Sequence, residues 1–305
     1  MVWQKRGQIF SPEGNTNWAK HSFMTPTPWQ LNEDTIRIFG GMRDDLGVSR
    51  IGYIDVDSYN PKVIKYISQT PVLDIGIPGS FDDNGVILGD IIAKEDNEIY
   101  MYYVGFQLVE KVKFLAFTGL AISTDEGYSF NRYSNAPILD RTDNGLYFRA
   151  VHTVMKEKDK WRFWCGEGRK WHYINGIAYP SYEIWYTESE DGINFSKREQ
   201  LVLQYGSTEY RIGRPRVYKK TDAYEMYFTY DTLDKKYFSG YAHSLDGLSW
   251  NREDSKFTIQ CSESGWDSDM VCYPSLHHTP HGSMYIFYSG NGMGLSGVGY
   301  AEWTS

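Results

Sequence analysis

The chain has 305 residues, of which 41% are hydrophobic, 23% charged and 16% aromatic, and its net charge is −8. This is an ordinary globular balance, and an acidic chain without a basic stripe argues against DNA or RNA as a partner. No stretch approaches the roughly 18 apolar residues of a membrane span, and three cysteines without metal-ligand spacing suggest reduced thiols. We therefore expect a cytoplasmic monomer or small homo-oligomer with no cofactor, metal or membrane partner.

The first predicted element is a strand at residues 3–10, which reads WQKRGQIF. Its pattern resembles two segments much later in the chain, FSKREQLV at 195–202 and WNREDSKF at 250–257. A diverged unit of four predicted strands follows it. These strands lie at 23–31, 35–40, 49–56 and 63–73.

Four further units repeat the same order of strands, and alternating apolar and polar residues mark each strand as half-buried. The first strands of these units lie at 85–93, 149–155, 212–218 and 270–276. The second strands lie at 98–105, 160–166, 224–230 and 283–290. Fourth strands are predicted at 130–139, 195–203 and 250–259, and no long helix pattern occurs anywhere.

A repeated turn separates the strands of the middle units. The segments AISTDEGYSF, YTESEDGINF and YAHSLDGLSW begin at residues 121, 186 and 241. In each of them a serine is followed by an aspartate, a glycine and an aromatic residue. The aspartate can bond to the backbone two residues on, and glycine accepts positive φ, so the motif predicts a tight hairpin.

Radially repeated four-stranded sheets are the blades of a propeller. We therefore predict an all-β, five-bladed β-propeller of four-stranded antiparallel blades that forms a single domain of residues 1–305. The blades are expected at roughly 18–75, 80–140, 145–204, 208–260 and 265–305. The fifth unit stops after three strands, and we expect the N-terminal strand to supply the fourth and close the ring.

The innermost strand of each blade lines the central channel, so catalytic groups are sought there. Carboxylates and imidazoles are costly to bury unless they are paired, and several of them on one axis suggest a ligand site. The candidate catalytic residues are Asp83, Asp90, Glu167, Asp267 and His152. The alternatives are plain turns for Asp83 and Asp267, a buried network for Asp90 and a structural channel histidine for His152.

Other polar and aromatic side chains near the channel mouth are candidates for binding a substrate. They are His21, Arg43, Arg149, Trp171, Arg211, Arg214, Trp266, Asp269, Tyr273 and Asn291. Arg211 and Arg214 offer bidentate forks for a carboxylate or phosphate, although they can equally pair with channel carboxylates. The segment 166–182 is predicted to be a long loop, of the kind that often forms a lid.

The hairpins and the second strands resemble those of the five-bladed arabinanase, β-xylosidase, invertase and levansucrase superfamily. More narrowly, four segments resemble those of a branch of proteins associated with bacterial surface-polysaccharide synthesis. They read GMRDDLGVSRIGYIDVD, FDDNGV, GWDSDMVCYPSL and FYSGNGMG. The resemblance implies an acid and a base from different blades. However, the first strand of blade 1 reads HSFMTPTP and has no carboxylate at the position of the base.

The leading hypothesis is a glycoside hydrolase-like enzyme that acts on a glycosidic or sugar-ester bond in bacterial glycan or nucleotide-sugar metabolism. It would use carboxylate acid/base chemistry in the central funnel, with a sugar or nucleotide sugar as substrate. The alternative is a non-catalytic glycan-binding propeller that has lost the acid/base pair. A carboxylate pair facing across the funnel would favour the enzyme, and its absence would favour binding alone.

Overall fold

The structure is a computed structural model that describes residues 2–14, 16–95, 97–158 and 160–304. Regular structure in these ranges is β-strand, apart from a 3-10 turn, Asp254–Lys256, and a helical turn, Asn291–Gly294. The expected all-β class is therefore confirmed. The two ends of the predicted domain, Met1 and Ser305, lie outside the described residues.

Antiparallel pairing between neighbours in sequence arranges most strands into four-stranded units. The second and third units are joined into one eight-stranded sheet, because Phe148 and Arg149 pair in parallel with Ala116 and Phe117. The first unit contains β2 (His21–Asn32), β3 (Thr35–Arg43), β4 (Ser49–Asp57) and β5 (Ile64–Ile67). The second contains β6 (Val86–Ala93), β7 (Ile99–Gln107), β8 (Leu115–Ser123) and β9 (Asn131–Arg132). The third contains β10 (Phe148–Glu157), β11 (Lys160–Ile174), β12 (Ile177–Ser189) and β13 (Gln200–Leu203). The fourth contains β14 (Glu209–Lys219), β15 (Tyr224–Thr232), β16 (Tyr237–Ser244) and β17 (Asn251–Arg252).

The last unit combines both ends of the chain. It contains β18 (Cys272–His278), β19 (Met284–Ser289), β20 (Val298–Thr304) and, as its outer strand, the N-terminal β1 (Val2–Phe10). Strand β1 pairs antiparallel with β20, from Val2 opposite Thr304 to Phe10 opposite Val298. The predicted strand at residues 3–10 therefore lies where the fourth strand of this unit is needed.

The serine–aspartate motif forms the predicted tight turn. In the third unit the Ser189 hydroxyl donates to the Asp191 carboxylate at 2.9 Å and accepts from the Gly192 amide at 2.9 Å. Each turn also docks on the preceding unit through a glycine carbonyl. The Gly192 carbonyl accepts from the Tyr102 hydroxyl at 2.8 Å, and the Gly247 carbonyl accepts from the Trp164 indole at 2.9 Å.

Two predicted segments differ from the structure. The fourth strands are shorter than expected, at Asn131–Arg132, Gln200–Leu203 and Asn251–Arg252. In the segment 130–139 the pairing resumes at Leu139, and Pro137, which has no amide to donate, lies in the gap. The predicted loop at 166–182 is instead a β-ribbon that extends β11 and β12. Its turn is Asn175–Gly176, and both residues have positive φ, as a two-residue hairpin turn requires.

The hydrophobic core consists of clusters that join successive units. One cluster contains Phe39 of β3 and Met101 of β7, and another packs Phe163 of β11 against Tyr102 of β7. A further cluster joins the last unit to the first, with Phe287 of β19 in contact with the group that contains Ile38 of β3. The first strands also touch one another in the order β2, β6, β10, β14, β18, and β18 touches β2.

Candidate binding site

The first strand of every unit has a break in its pairing register at a similar depth. The breaks lie between Met24 and Thr27, Leu88 and Asp90, Val151 and Thr153, Gly213 and Arg216, and Cys272 and Ser275. A bulge of this kind re-aims the side chain of the extra residue and is common beside functional sites. The residues inside the breaks are Thr25, Pro26, Gly89, His152, Arg214, Pro215, Tyr273 and Pro274.

Three of the bulges hold a residue in the left-handed backbone region directly before a proline. The φ angles are 54° at Thr25, 54° at Arg214 and 56° at Tyr273. Such a conformation costs a non-glycine residue about 1–3 kcal/mol, and it is typical of functional sites. The five first strands therefore carry the features expected of a site, although sequence periodicity shows only ordinary strands there.

The bulges open onto a cavity of about 250 Å³, which we call the bulge cavity. Thr25, His152, Arg214 and Tyr273 all line it. Its other polar groups are Arg43, Ser49, Asn84, Tyr182, Arg211, Thr229 and Tyr237. Its apolar groups are Met24, Ile87, Phe106, Phe114, Phe148, Pro180 and Met293. No carboxylate lines the cavity within the part of the chain that the structure describes.

Five of the predicted site residues meet in this cavity, namely Arg43, His152, Arg211, Arg214 and Tyr273. Sequence reasoning missed the aromatic residues of the wall, including Phe106, Phe148, Tyr182 and Tyr237. Phe106 lies near the end of a second strand, Phe148 begins a first strand, and Tyr182 and Tyr237 lie in third strands. At such positions an aromatic residue looks like ordinary sheet core. Only their convergence in three dimensions distinguishes them.

Arg214 and His152 form the polar centre of the cavity. The Arg214 guanidinium lies 3.1 Å from His152 Nδ1, and it also donates to the Leu88 carbonyl. Arginine can only donate, so Nδ1 accepts and the ring proton lies on Nε2. Burial, with a further contribution from Arg214 and Arg216, lowers the pKa of His152 well below its ordinary value. The imidazole is therefore neutral near pH 7.

Arg211 lies on the tyrosine-rich side of the cavity. Its guanidinium pairs with Asp231 at 2.7 Å and lies over the rings of Tyr182 and Tyr237 at 5.6 and 5.7 Å. Its charge is thus compensated, because Asp231 is buried directly beside it. Contacts between a guanidinium and aromatic faces also fix the orientation of the tyrosines.

Asp90 lies behind the cavity wall instead of in it. Its carboxylate accepts from Arg216 at 2.6 Å and from the Val154 amide at 2.8 Å. Arg216 also donates to the His152 carbonyl at 3.0 Å. This geometry corresponds to the buried-network alternative for Asp90, since both carboxylate oxygens are occupied by groups of neighbouring strands.

Glu167 lines a different pocket. The side chain is 2% exposed; Arg149 donates to Oε1 at 3.1 Å, and Oε2 has no partner in the described chain. Burial raises the pKa of Glu167 to about 7, although Arg149 partly opposes the shift. The pocket has a volume of about 320 Å³ and also contains Glu183, which is the cross-strand neighbour of Glu167. Arg149 also contacts Glu199 and does not line the bulge cavity.

Asp83 and Asp267, the two remaining catalytic candidates, have structural partners outside the bulge cavity. Asp83 accepts from the Gly79 amide at 2.8 Å within a turn. Asp267 is 1% exposed, pairs with Lys5 at 2.6 Å and accepts from the Tyr288 hydroxyl at 2.9 Å. Both fit the structural alternatives better than a role in the cavity.

Several predicted binding residues are likewise structural in their contacts. Trp266 stacks on Tyr288 with ring centroids 5.1 Å apart. The Asn291 side chain accepts from the amides of Asp269 and Met270 at 2.7 and 2.9 Å, and the Asp269 side chain is exposed.

The two other predicted binding residues, His21 and Trp171, contact neighbours outside the cavity lining. His21 contacts the Ser22 hydroxyl at 2.8 Å, and Trp171 packs on Tyr147 at 4.8 Å. Across residues 2–14, 16–95, 97–158 and 160–304, no group of three or more His, Cys, Asp or Glu side chains is arranged to hold a metal ion. The same ranges contain no helix of the length and apolarity needed to span a membrane.

The arrangement of strands is shared with known glycoside hydrolases. A thermostable family-43 glycoside hydrolase superposes with a TM-score of 0.68 at 15% identity, covering 98% of this chain and 91% of the other. The catalytic domain of the GH62 α-L-arabinofuranosidase of Coprinopsis cinerea gives 0.71 at 9% identity, covering 99% and 96%. At such identities the likeness concerns the fold, which is that of the β-propeller hydrolases.

Two sequence comparisons give a closer relationship. Residues 68–212 match the family described as "Glycosyl hydrolases family 32 N-terminal domain". The chain is 32% identical over 302 residues to "Uncharacterized protein Rv1502" of Mycobacterium tuberculosis, and the match covers 99% of both chains. Together with the all-β fold, these similarities establish that the chain belongs to the same family as Rv1502, within the superfamily of β-propeller glycoside hydrolases.

Proposed function

We propose that the chain binds a single sugar unit in the bulge cavity and does not cleave a glycosidic bond there. The observation that carries the proposal is the lining of the cavity, which has aromatic, hydroxyl and guanidinium groups but no carboxylate among the described residues. Glycoside hydrolysis ordinarily requires two carboxyl groups that flank the scissile bond. The site therefore resembles a hydrolase pocket that retains its binding surface without its acid/base pair.

The chemistry and size of the cavity support a sugar as ligand. Rings such as Phe106 and Phe148 can stack on the apolar face of a sugar, while Thr25, Ser49 and Asn84 offer hydrogen bonds to its hydroxyl groups. A volume of about 250 Å³ is smaller than that of most pockets for drug-sized ligands. It favours one sugar unit, or the end of a glycan, over a complete nucleotide sugar.

We further propose that the five units are the blades of a five-bladed propeller, which forms a single domain closed by β1. The pairing of β1 with β20 and the contact of β18 with β2 support closure. The cluster that joins Ile38 and Phe287 supports it as well, because it fills the space between the last unit and the first. In such a ring the bulge cavity lies at the mouth of the central channel.

A second candidate function is hydrolysis in the pocket beside Glu167. The specific observation in its favour is a buried carboxyl group whose pKa is raised to about 7 and whose Oε2 lacks a partner among the described residues. Burial also raises the pKa of Glu183, which lies opposite it on the next strand. A protonated carboxyl and a second carboxyl on one face are the minimum for acid-assisted cleavage.

Binding can be tested by titrating neutral and acidic monosaccharides into the protein in a calorimeter. We expect Phe106→Ala to weaken the binding of the preferred sugar by about threefold to tenfold, because an aromatic wall is lost. The matched control is Phe238→Ala, since Phe238 is 38% exposed and does not line the cavity. Equal affinities for wild type and F106A would contradict binding in this cavity.

The same samples separate binding from hydrolysis. We expect no release of reducing sugar from glycosides that bind in the cavity. Turnover that is abolished by Glu167→Gln and unaffected by Phe106→Ala would instead identify the pocket of Glu167 as an active site. A role in bacterial surface-polysaccharide or nucleotide-sugar metabolism, a cytoplasmic location and a monomeric or small homo-oligomeric state are proposals that rest on the sequence.

A further inference from the structure

We propose that the sugar bound in the bulge cavity carries an anionic group, a carboxylate or a phosphate, which binds to Arg214 with assistance from Arg43. This inference rests on the proposed function, since it names the class of sugar that the same cavity accepts. It concerns the ligand and not a reaction.

Arg214 differs from the other deeply buried arginines in its lack of an acidic partner. Arg37 pairs with Asp55 at 2.8 Å, and Arg216 pairs with Asp90 at 2.6 Å. Arg214 is 5% exposed, yet no Asp or Glu of the described chain lies within 4 Å of its guanidinium. A buried charge without a partner is strongly unfavourable, so this position requires a reason.

The remaining hydrogen-bonding capacity of Arg214 is consistent with an external acceptor. One terminal nitrogen contacts the Leu88 carbonyl and His152, whereas the other makes only a long contact of 3.5 Å with the Thr25 carbonyl. Guanidinium forks bind carboxylates and phosphates through two parallel hydrogen bonds. Neutral His152 accepts from the fork, so it positions the guanidinium without neutralising its charge.

A second cation without a counter-charge lines the same cavity. Arg43 makes no ion pair with a described residue, and its buried Nε has no hydrogen-bond partner. Arg211 is a weaker candidate because Asp231 already compensates it. Two uncompensated cations in a cavity without carboxylates create a positive local potential that favours an anion over a neutral sugar.

The electrostatic state of Arg214 agrees with this picture. Burial, followed by repulsion from Arg216, lowers the pKa of Arg214 to about 9, although attraction to the more distant Asp90 partly opposes the shift. A bound anion would oppose both effects. Its bulge fixes the backbone at a φ of 54° before Pro215, so the guanidinium is held in place before the ligand arrives.

The test compares matched ligands that differ only in charge. Glucose and galactose are titrated beside glucuronate, galacturonate, glucose 6-phosphate and galactose 6-phosphate, and inorganic phosphate alone is included in thermal-shift measurements. We expect at least one acidic sugar to bind about tenfold or more tightly than its neutral parent. The uronates and the sugar phosphates distinguish the two sources of negative charge.

Arg214→Gln and Arg43→Gln should each remove most of this preference, while Arg198→Gln serves as the control because Arg198 is exposed and outside the cavity. Circular dichroism checks folding, and Arg43, which is only partly buried, keeps the test valid if R214Q does not fold. Equal binding of neutral and acidic sugars would overturn the inference and leave the proposed function intact. Absence of binding by every sugar would overturn both.

Discussion

Thr25, Arg214 and Tyr273 reach the bulge cavity through one repeated local device. Each precedes a proline and has a φ angle between 54° and 56°, which bends the strand and turns the side chain toward the cavity. Proline normally keeps the preceding residue extended, so tertiary packing must maintain this backbone. A proline follows each of these three residues, and the recurrence of proline in three first strands is the sequence signal that could have identified these positions.

Glu167 permits a prediction about pH at the level of one side chain. Burial raises its pKa to about 7 in the folded protein, while the unfolded chain releases the proton near its ordinary value of 4.5. The unfolded state therefore binds fewer protons between these values, and the free energy of unfolding falls as pH rises from about 4.5 to about 7. The loss is on the order of 3 kcal/mol and is complete above this window.

Urea unfolding of wild type and Glu167→Gln over pH 4–8 checks this prediction. The difference in free energy of unfolding between the two proteins should change across the window and then remain constant. Glu263→Gln, at an exposed position, should follow wild type at every pH. Parallel curves for wild type and E167Q would show that Glu167 titrates at its ordinary pKa in the folded protein.

The carboxylates illustrate why the site was only partly predictable from the sequence. Asp90 stands out in an apolar strand, but its partner Arg216 comes from another unit, 126 positions later. Asp267 finds its partner, Lys5, at the opposite end of the chain. Sequence spacing indicates that a charge is present, whereas only the folded geometry tells whether the charge is already paired.

At the scale of elements, the serine–aspartate turns act as contacts between units as well as hairpin ends. The carbonyls of Gly192 and Gly247 accept hydrogen bonds from Tyr102 and Trp164 of the preceding unit. The Gly127 carbonyl accepts from Arg37 at 3.1 Å in the same manner. The turn motif therefore has two roles, since it ends a hairpin and also contacts the preceding unit.

Removal of one such contact should lower stability measurably. Tyr102→Phe deletes the hydroxyl that donates to Gly192 and leaves a buried carbonyl without a partner, which costs about 1–3 kcal/mol. Thermal or urea unfolding measures the effect. Tyr133→Phe is the control, because Tyr133 is 52% exposed. A Y102F protein as stable as wild type would contradict the docking role of this turn.

The strands were predicted better than the segments between them. The first and second strands lie close to where alternation predicted them, but they are not simply half-buried, since residues 35–42 of β3 and 99–105 of β7 are buried on both faces. Alternation failed at Pro137, which interrupts the outer strand, and at 166–182, where the aromatic content suggested a loop. The dipeptide Asn175–Gly176 is a strong local hairpin signal, so the ribbon of β11 and β12 was within reach of the sequence.

At the scale of the whole molecule, the ion pair of Lys5 with Asp267 connects β1 to the loop before β18. Among the described residues, Lys5→Met would leave the buried Asp267 carboxylate with the Tyr288 hydroxyl as its remaining side-chain partner. We expect K5M to lower the free energy of unfolding by about 1–3 kcal/mol, which is less than for a fully buried ion pair because the Lys5 side chain is 26% exposed.

A double-mutant cycle tests this connection. Lys5→Met combined with Asp267→Asn should recover much of the stability lost in K5M, since no buried charge then remains unpaired. Lys111→Met, at a side chain that is 91% exposed, should have no effect. If the losses of K5M and D267N simply add, the two side chains do not stabilise each other.

The pairing of β1 with β20 also has a consequence for synthesis of the protein. Strand β1 leaves the ribosome before the other described strands, whereas its partner β20 is translated after them. The first four units can pair strands that are adjacent in sequence as they emerge, whereas the last unit must wait until β20 has been translated. Its formation is a contact between distant segments, which is intrinsically slow. Until then β1 is an unpaired strand, and a nascent-chain chaperone that shields it would increase the yield of folded protein.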